Sequence, residues 1–318
     1  MKEGLRIVVA AIPISLRAGE PFVLTDGFGN LPHAPLVGGE EKIPETLESL
    51  LVMRRRVPMV QADQLPIRVV DEGEAGRCVE VPYLVTARAG ESEGEWTPCY
   101  EFLPWEDQRS SYGETLRTTI GERLMRVFVD GHTPESVTFR RKLCVLFALD
   151  GFSWRPELAF ERCRLLVEAG ILPDEGSSGA AHLADVRCYR WLAQALGHLR
   201  KPLPSLSMPV ELMPERFTIP QFQASVESLL GEALDKQAFR RQVSNCGLLE
   251  EAGGISDEIF GRPARLFRFR MDVVIARNAQ TLTLVLPLSN AVSQSETIEN
   301  LLFPNTSLWP GDSSSSEP

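Results

Sequence analysis

The chain lacks any apolar run that could cross a bilayer. Its longest, Ile7 to Ile14 and Leu143 to Leu149, fall far short of the roughly 20 residues that a spanning helix needs, so no transmembrane segment is expected. The opening Met1-Lys2-Glu3-Gly4-Leu5-Arg6 leads into the first of these runs without a small-residue cleavage site, and no secretory signal is expected. Cysteines are few and scattered (Cys78, Cys99, Cys144, Cys163, Cys188, Cys246), with no Cys-x-x-Cys. That excludes a zinc finger and a disulfide framework and suits reduced thiols in a cytoplasmic protein. Histidines are scarcer still: His33, His132, His182 and His198 lie far apart, none at ligand spacing from a cysteine or a carboxylate. No metal site, no cofactor and no catalytic residue is therefore expected.

Positive charge is also in deficit. The formal net charge is -10, and no lysine or arginine follows Arg277. An acidic average opposes a nucleic-acid partner, but screening limits exposed charges to a range of roughly 8–10 Å, so the local distribution decides. The cations are concentrated at Arg54-Arg55-Arg56, at Arg140-Arg141-Lys142 and between Lys236 and Arg270.

What is present falls into three stretches. In the first hundred residues, the apolar, β-branched run Leu5 to Leu16, a turn at Arg17 to Pro21, and Phe22-Val23-Leu24 predict a hairpin with a buried strand. Val79 to Thr86 predicts another strand, and Leu47, Leu50 and Leu51 fall at helical spacing within Pro44 to Arg56. Strands flanking a helix suggest an α/β sandwich. From Glu114 the period becomes helical: Glu114 to Phe128, Phe139 to Leu149, Arg155 to Ala169, and a helix ending near Leu199 with Trp191, Leu192 and Ala195 on one face. Lys201-Pro202-Leu203-Pro204-Ser205 predicts a stiff linker, because the prolines remove donors and bias their predecessors away from helix. The Ser-rich, acidic end from Thr306 predicts disorder.

Beyond the linker, Thr218 caps a helix with Pro220 in its first turn, Phe222, Val226 and Leu229 inside, and Gly231 at its end. Asp235 caps a second helix with Phe239 and Val243 inward and Lys236, Gln237, Arg240 and Arg241 outward. A strand at Leu248-Leu249, a turn at Ala252-Gly253-Gly254, then Arg262, Arg265 and the alternating Leu266 to Arg270 complete the order of a winged helix-turn-helix. In a major groove, arginine pairs with guanine edges and glutamine with adenine. Arg262 and Arg265 on a hairpin suit phosphates or a narrow minor groove. The competing reading is a solvated basic helix in a winged domain that binds protein.

Three blocks now point to one family. Glu211-Leu212-Met213-Pro214 with Phe217-Thr218, then Lys236 to Arg241, then Gly261-Arg262-Pro263-Ala264 with Leu266 to Phe269 together resemble the C-terminal domain of Nudix-related transcriptional regulators of bacterial NAD metabolism. Weaker resemblance extends to Tyr100 to Asp107, to Phe147 to Phe152 and to Glu168 to Leu172. It implies a Nudix-like α/β/α sandwich with a helical insertion (about 112–180) over residues 1–205, serving ligand sensing and dimerisation. A winged-helix DNA-binding domain over 206–275 and an extension over 276–318 follow. It further implies a homodimeric repressor on a palindromic operator in double-stranded DNA, with ADP-ribose, NAD or a related nucleotide as effector, and no membrane partner.

The hydrolase signature of that family is damaged here. Gly39 and Glu45 fit, but the Arg-Glu pair falls on Met53 and Arg54 and the Glu-Glu pair on Val57 and Pro58. Those carboxylates would hold Mg²⁺ against a diphosphate, so the chain is not expected to be an enzyme. Arg54, Arg55 and Arg56 are candidate ligand-binding residues that could neutralise a diphosphate directly, set against a merely solvated charge run. The rival functions are an Mg²⁺-dependent nucleotide diphosphate hydrolase using other carboxylates, and a winged protein-interaction module.

Overall fold

The long strand β1 (Leu5–Arg17) is buried along most of its length and organises the N-terminal half. The computed structural model describes residues 5–26, 28–36, 42–53, 61–71, 76–88, 95–128, 134–172, 186–203, 209–256 and 264–278. All of these belong to the first of two units, 1–283 and 284–318. β1 turns at Ala18-Gly19, both at positive φ, into β2 (Glu20–Thr25), so the expected hairpin forms. It also pairs with β3 (His33–Pro35) and runs parallel to β6 (Arg77–Thr86). With β4 (Gln61–Gln64), β5 (Arg68–Asp71) and β7 (Glu95–Pro98), these strands make a seven-stranded mixed sheet whose path is β4-β6-β1-β2-β7, with β3 and β5 joined to β1 and β6.

A strand covered on both faces must be apolar along its covered stretch, and β1 is from Ile7 to Ile14. Val9 and Ala11, with Leu24 and Val85, pack on Leu47, Leu50 and Leu51 from α1 (Ile43–Glu48) and the π-type turn that extends it. The alternate residues Val8, Ala10, Ile12 and Ile14 face the other way and share a core with Trp191, Leu192 and Ala195 of α6 (Val186–Arg200). The sheet is thus sandwiched between helices.

After β7, a short α2 (Cys99–Phe102) leads to α3 (Ser111–Phe128), α4 (Pro134–Phe147) and α5 (Ala159–Glu168). α4 stops where Ala148, Asp150 and Gly151 take positive φ, and α5 where Gly170 does. The C-terminal part contains α7 (Ile219–Leu230), α8 (Lys236–Cys246), the hairpin β8 (Leu249–Ser256) and β9 (Ala264–Phe269), and α9 (Met271–Asn278). The fold is α+β, a helix-covered mixed sheet followed by a winged helix.

Two expectations change. Ala252 to Gly254 is not a turn: β8 runs through it with a bulge between Glu251 and Ile255, where Gly253 and Gly254 accept φ of +69° and +88°. α9, at Met271–Asn278, was not foreseen. Leu203 in the expected linker is buried against the main core. That core also includes Phe217, Phe222, Val226 and Leu229, so the body and the winged helix share one apolar cluster. The tail from 306 lies outside the described residues.

Candidate nucleic-acid interface

Four phenylalanines hold the winged helix together. Phe217 and Phe222 stack tilted at 5.5 Å between centroids, and Phe269 lies 5.0 Å from Phe217 and 5.6 Å from Phe222. Phe239, on α8, lies 5.6 Å from Phe222. Phe217 also exchanges backbone hydrogen bonds with Phe267 at 3.0 and 2.8 Å, a single β-bridge on the edge of the hairpin. α7 opens with a capping box: the Gln221 N–H donates to the Thr218 hydroxyl at 3.3 Å and the Thr218 N–H to Gln221 Oε1 at 2.8 Å. Asp235 caps α8 by accepting from the Ala238 N–H at 2.7 Å. Thr218→Ala is expected to cost about 1 kcal/mol, seen as a lower urea midpoint at unchanged slope.

This frame fixes which side of α8 faces out. Phe239 and Val243 are buried, while Lys236, Gln237, Arg240, Arg241 and Ser244 are exposed. At 100° per residue these five cover an arc of about 140°. No carboxylate of the described residues forms an ion pair with Lys236, Arg240 or Arg241. The hairpin differs. Arg265 pairs with Glu251 at 2.5 Å and Arg268 with Glu250 at 2.7 Å across the β8–β9 ladder. Both pairs are solvent-exposed, hence weak and salt-sensitive, so Arg265 would have to exchange one anion for another to grip a phosphate. Of the described cations on α8 and the hairpin strands, those without an ion-pair partner are therefore on α8. Arg262 lies outside the described residues, as do Arg54, Arg55 and Arg56; Arg140 of the remaining basic run pairs with Asp150 at 3.2 Å.

The back of the winged helix rests on a polar group that sequence reasoning did not assign. Glu106 is fully buried and receives Arg162 Nε at 2.6 Å and Nη2 at 2.8 Å, and Arg200 Nη1 at 2.5 Å. Both guanidiniums are fully buried as well. Burial alone would raise the Glu106 pKa, but Arg162 and then Arg200 outweigh it and hold it below the usual glutamate value. Arg162 also stacks its guanidinium 3.8 Å from the Trp154 ring. From this node Arg200 Nε donates to the Leu229 carbonyl at 2.9 Å, the Tyr100 hydroxyl to the Ser228 carbonyl, and the Gln108 N–H to the Gly231 carbonyl at 2.7 Å. These satisfy the otherwise orphaned carbonyls at the end of α7. A signal was present: Arg162 sits at helical spacing between Ala159 and Leu166, on an apolar stripe where a charge requires a buried partner.

Beside this contact a cavity of about 380 Å³ separates Trp154 to Glu157 and Leu203 from Val226, Leu230, Glu232, Leu234, Phe239 and Gln242. Burial raises the pKa of Glu232 on its wall, opposed by Arg200. Cys163 and Cys188 are buried, and the Cys188 sulfur accepts from the Leu31 N–H at 3.3 Å. Among the described residues no group of histidine, cysteine or acidic side chains could hold a metal ion, and no helix is long and apolar enough to cross a membrane.

Comparison with known proteins matches residues 209–269 to the NrtR DNA-binding winged helix domain. The ADPR responsive transcriptional repressor NtrR of Acinetobacter baylyi is 38% identical over 81 residues, which is 25% of this chain and 32% of that protein. The match thus spans about a third of the length of the curated relative. Among solved structures, Shewanella oneidensis NrtR complexed with a 27mer DNA aligns over 84% of this chain and 95% of its own at 17% identity and a TM-score of 0.48. The NUDIX domain of the same protein complexed with ADP ribose aligns over 33% and 79% at 19% identity and a TM-score of 0.27. The matched stretch, 209–269, takes in the capped α7, the basic α8 and the β8–β9 ladder.

Proposed function

We propose that the chain is a DNA-binding transcriptional repressor of NAD metabolism. In this reading residues 1–205 form a Nudix-like sensor and dimerisation domain that binds ADP-ribose or a related nucleotide without hydrolysing it, and 206–275 bind the operator. The observation that carries it is the exposed row Lys236, Gln237, Arg240 and Arg241 on a helix anchored from behind by Phe239 and Val243. Such a helix can enter a major groove with Arg240 or Arg241 on guanine edges and Gln237 on adenine. Arg262 and Arg265 would reach the flanking backbone, and a dimer would read two half-sites. The loss of chemistry rests on Arg54, Val57 and Pro58 at the signature's carboxylate positions and Met53 at its arginine. Arg54, Arg55 and Arg56 remain candidates for the nucleotide's diphosphate. A repressor acting on bacterial DNA would work in the cytoplasm.

Anisotropy titration on DNA upstream of the protein's own gene tests the reading. Affinity is expected to fall with salt at a log–log slope of about -0.9 for each phosphate contact. Arg240→Ala is expected to lose about 1–3 kcal/mol on the preferred fragment and less on unrelated DNA. An equal loss on both would make Arg240 a phosphate contact. Binding without salt dependence, or none at all, would leave the winged domain a protein-docking module. Sustained, chelator-sensitive turnover of ADP-ribose with Mg²⁺ would replace the sensor with an enzyme.

A further inference from the structure

We propose that Tyr100 is a positioning residue: its hydroxyl, gripped between Arg200 and the Ser228 carbonyl, sets the angle at which the N-terminal body presents α7 and α8.

Besides the shared apolar core, hydrogen bonds from the body reach the end of α7. Tyr100 donates to the Ser228 carbonyl and accepts from Arg200 Nη2 at 3.3 Å, so one hydroxyl links the body's buried ion cluster to the helix end. Burial pushes the phenol up to about 12, against the pull of Arg200, so the donor proton is retained at physiological pH. The ring is held in turn: the Arg109 guanidinium lies 5.6 Å from its centroid and is itself fixed by Asp107 at 2.8 Å and by Glu20, on the β1–β2 hairpin, at 2.6 Å. A displacement of that hairpin would therefore reach α7 through Arg109 and Tyr100.

Packing allows such a displacement. On one side Gly231 sits so close to the Glu106 carbonyl that a side chain would overlap it. On another, the 380 Å³ cavity borders Val226 and Leu230 of α7 and Phe239 and Gln242 of α8. A helix end pinned at one edge and flanked by free volume at the other can tilt about the pin, and α8 tilts with it because Phe222 and Phe239 are in ring contact. The segment Tyr100 to Asp107, conspicuous in the sequence but without a role there, becomes the plate on which the reading head is mounted.

Tyr100→Phe removes only the hydroxyl and keeps the ring, so the fold should survive. Hydrogen exchange on the full chain, without ligand, is expected to quicken about tenfold or more at the amides of 229–232, as loss of a buried hydrogen bond would give, with the β1 and β6 amides unchanged. Unchanged exchange at 229–232, or an equal increase throughout the sheet, would overturn the proposal. The second arm rests on the function proposed above: on DNA from upstream of the protein's own gene, the variant's affinity is expected to drop at least about threefold while its melting temperature stays within a few degrees. Equal affinity would refute the positioning role. If the wild-type chain binds no DNA, the function fails, and the exchange result alone still decides whether the joint exists.

Discussion

Glu106→Gln is expected to cost about 3–5 kcal/mol, the usual result of removing one partner from a buried ion cluster. The reason is the charge count. Two guanidiniums and one carboxylate already leave an excess positive charge, distributed over the Leu146, Arg155, Pro156 and Leu229 carbonyls and the Trp154 ring. Glutamine retains the shape but removes the anion, leaving two fully buried guanidiniums with no carboxylate in direct contact. Urea denaturation should report the loss, and a change below about 1 kcal/mol would mean that the carbonyls alone solvate both arginines. The pH dependence has a definite sign. Because the folded pKa of Glu106 lies below its unfolded value, the stabilisation is complete above the unfolded pKa, near 4.3, and is lost as pH falls through the folded one. Wild type should therefore lose stability on acidification below about pH 4 more steeply than Glu106→Gln.

Gly231→Ala is the second large effect, and the chain contains its own control. Gly231 and Gly247 end consecutive helices in nearly the same left-handed conformation, φ +67° and +63°. A β-carbon at Gly247 meets nothing within 4 Å, whereas at Gly231 it overlaps the Glu106 carbonyl and crowds Arg200 Nη2 and the Tyr100 hydroxyl, each at 3.1 Å. Gly247→Ala should cost only the left-handed penalty, about 1–2 kcal/mol. Gly231→Ala should add about 1–3 kcal/mol of overpacking and disrupt the docking of α7. Equal melting temperatures for the two variants would show that the close approach relaxes freely.

Much of the fold was legible because its signals are local. The uninterrupted apolar run of β1 announces a strand covered twice, and Thr218, Pro220, Gly231 and Asp235 mark helix ends by donors and dihedrals that neighbouring residues supply. The outward row on α8 follows from the spacing of Phe239 and Val243. What was missed is non-local. Glu106 meets Arg162 and Arg200 across 56 and 94 residues, and no pattern within a window connects them. The pairing of Arg265 with Glu251 depends on the hairpin's register, which the bulge at Gly253-Gly254 alters. A Gly-Gly pair reads equally well as turn or bulge, and only the partner strand decides between them.

The common core of body and winged helix bears on how such proteins can be recombined. Excising 209–269 for use as a portable operator reader would strip Leu229, Ser228 and Gly231 of the donors that occupy their carbonyls, and would bare Leu212, Phe217 and Leu230 where they now lie inside. A chimera that is to inherit the sequence preference of α8 must inherit Tyr100, Gln108 and Arg200 with it, so specificity in this lineage travels as a long discontinuous block and not as a cassette.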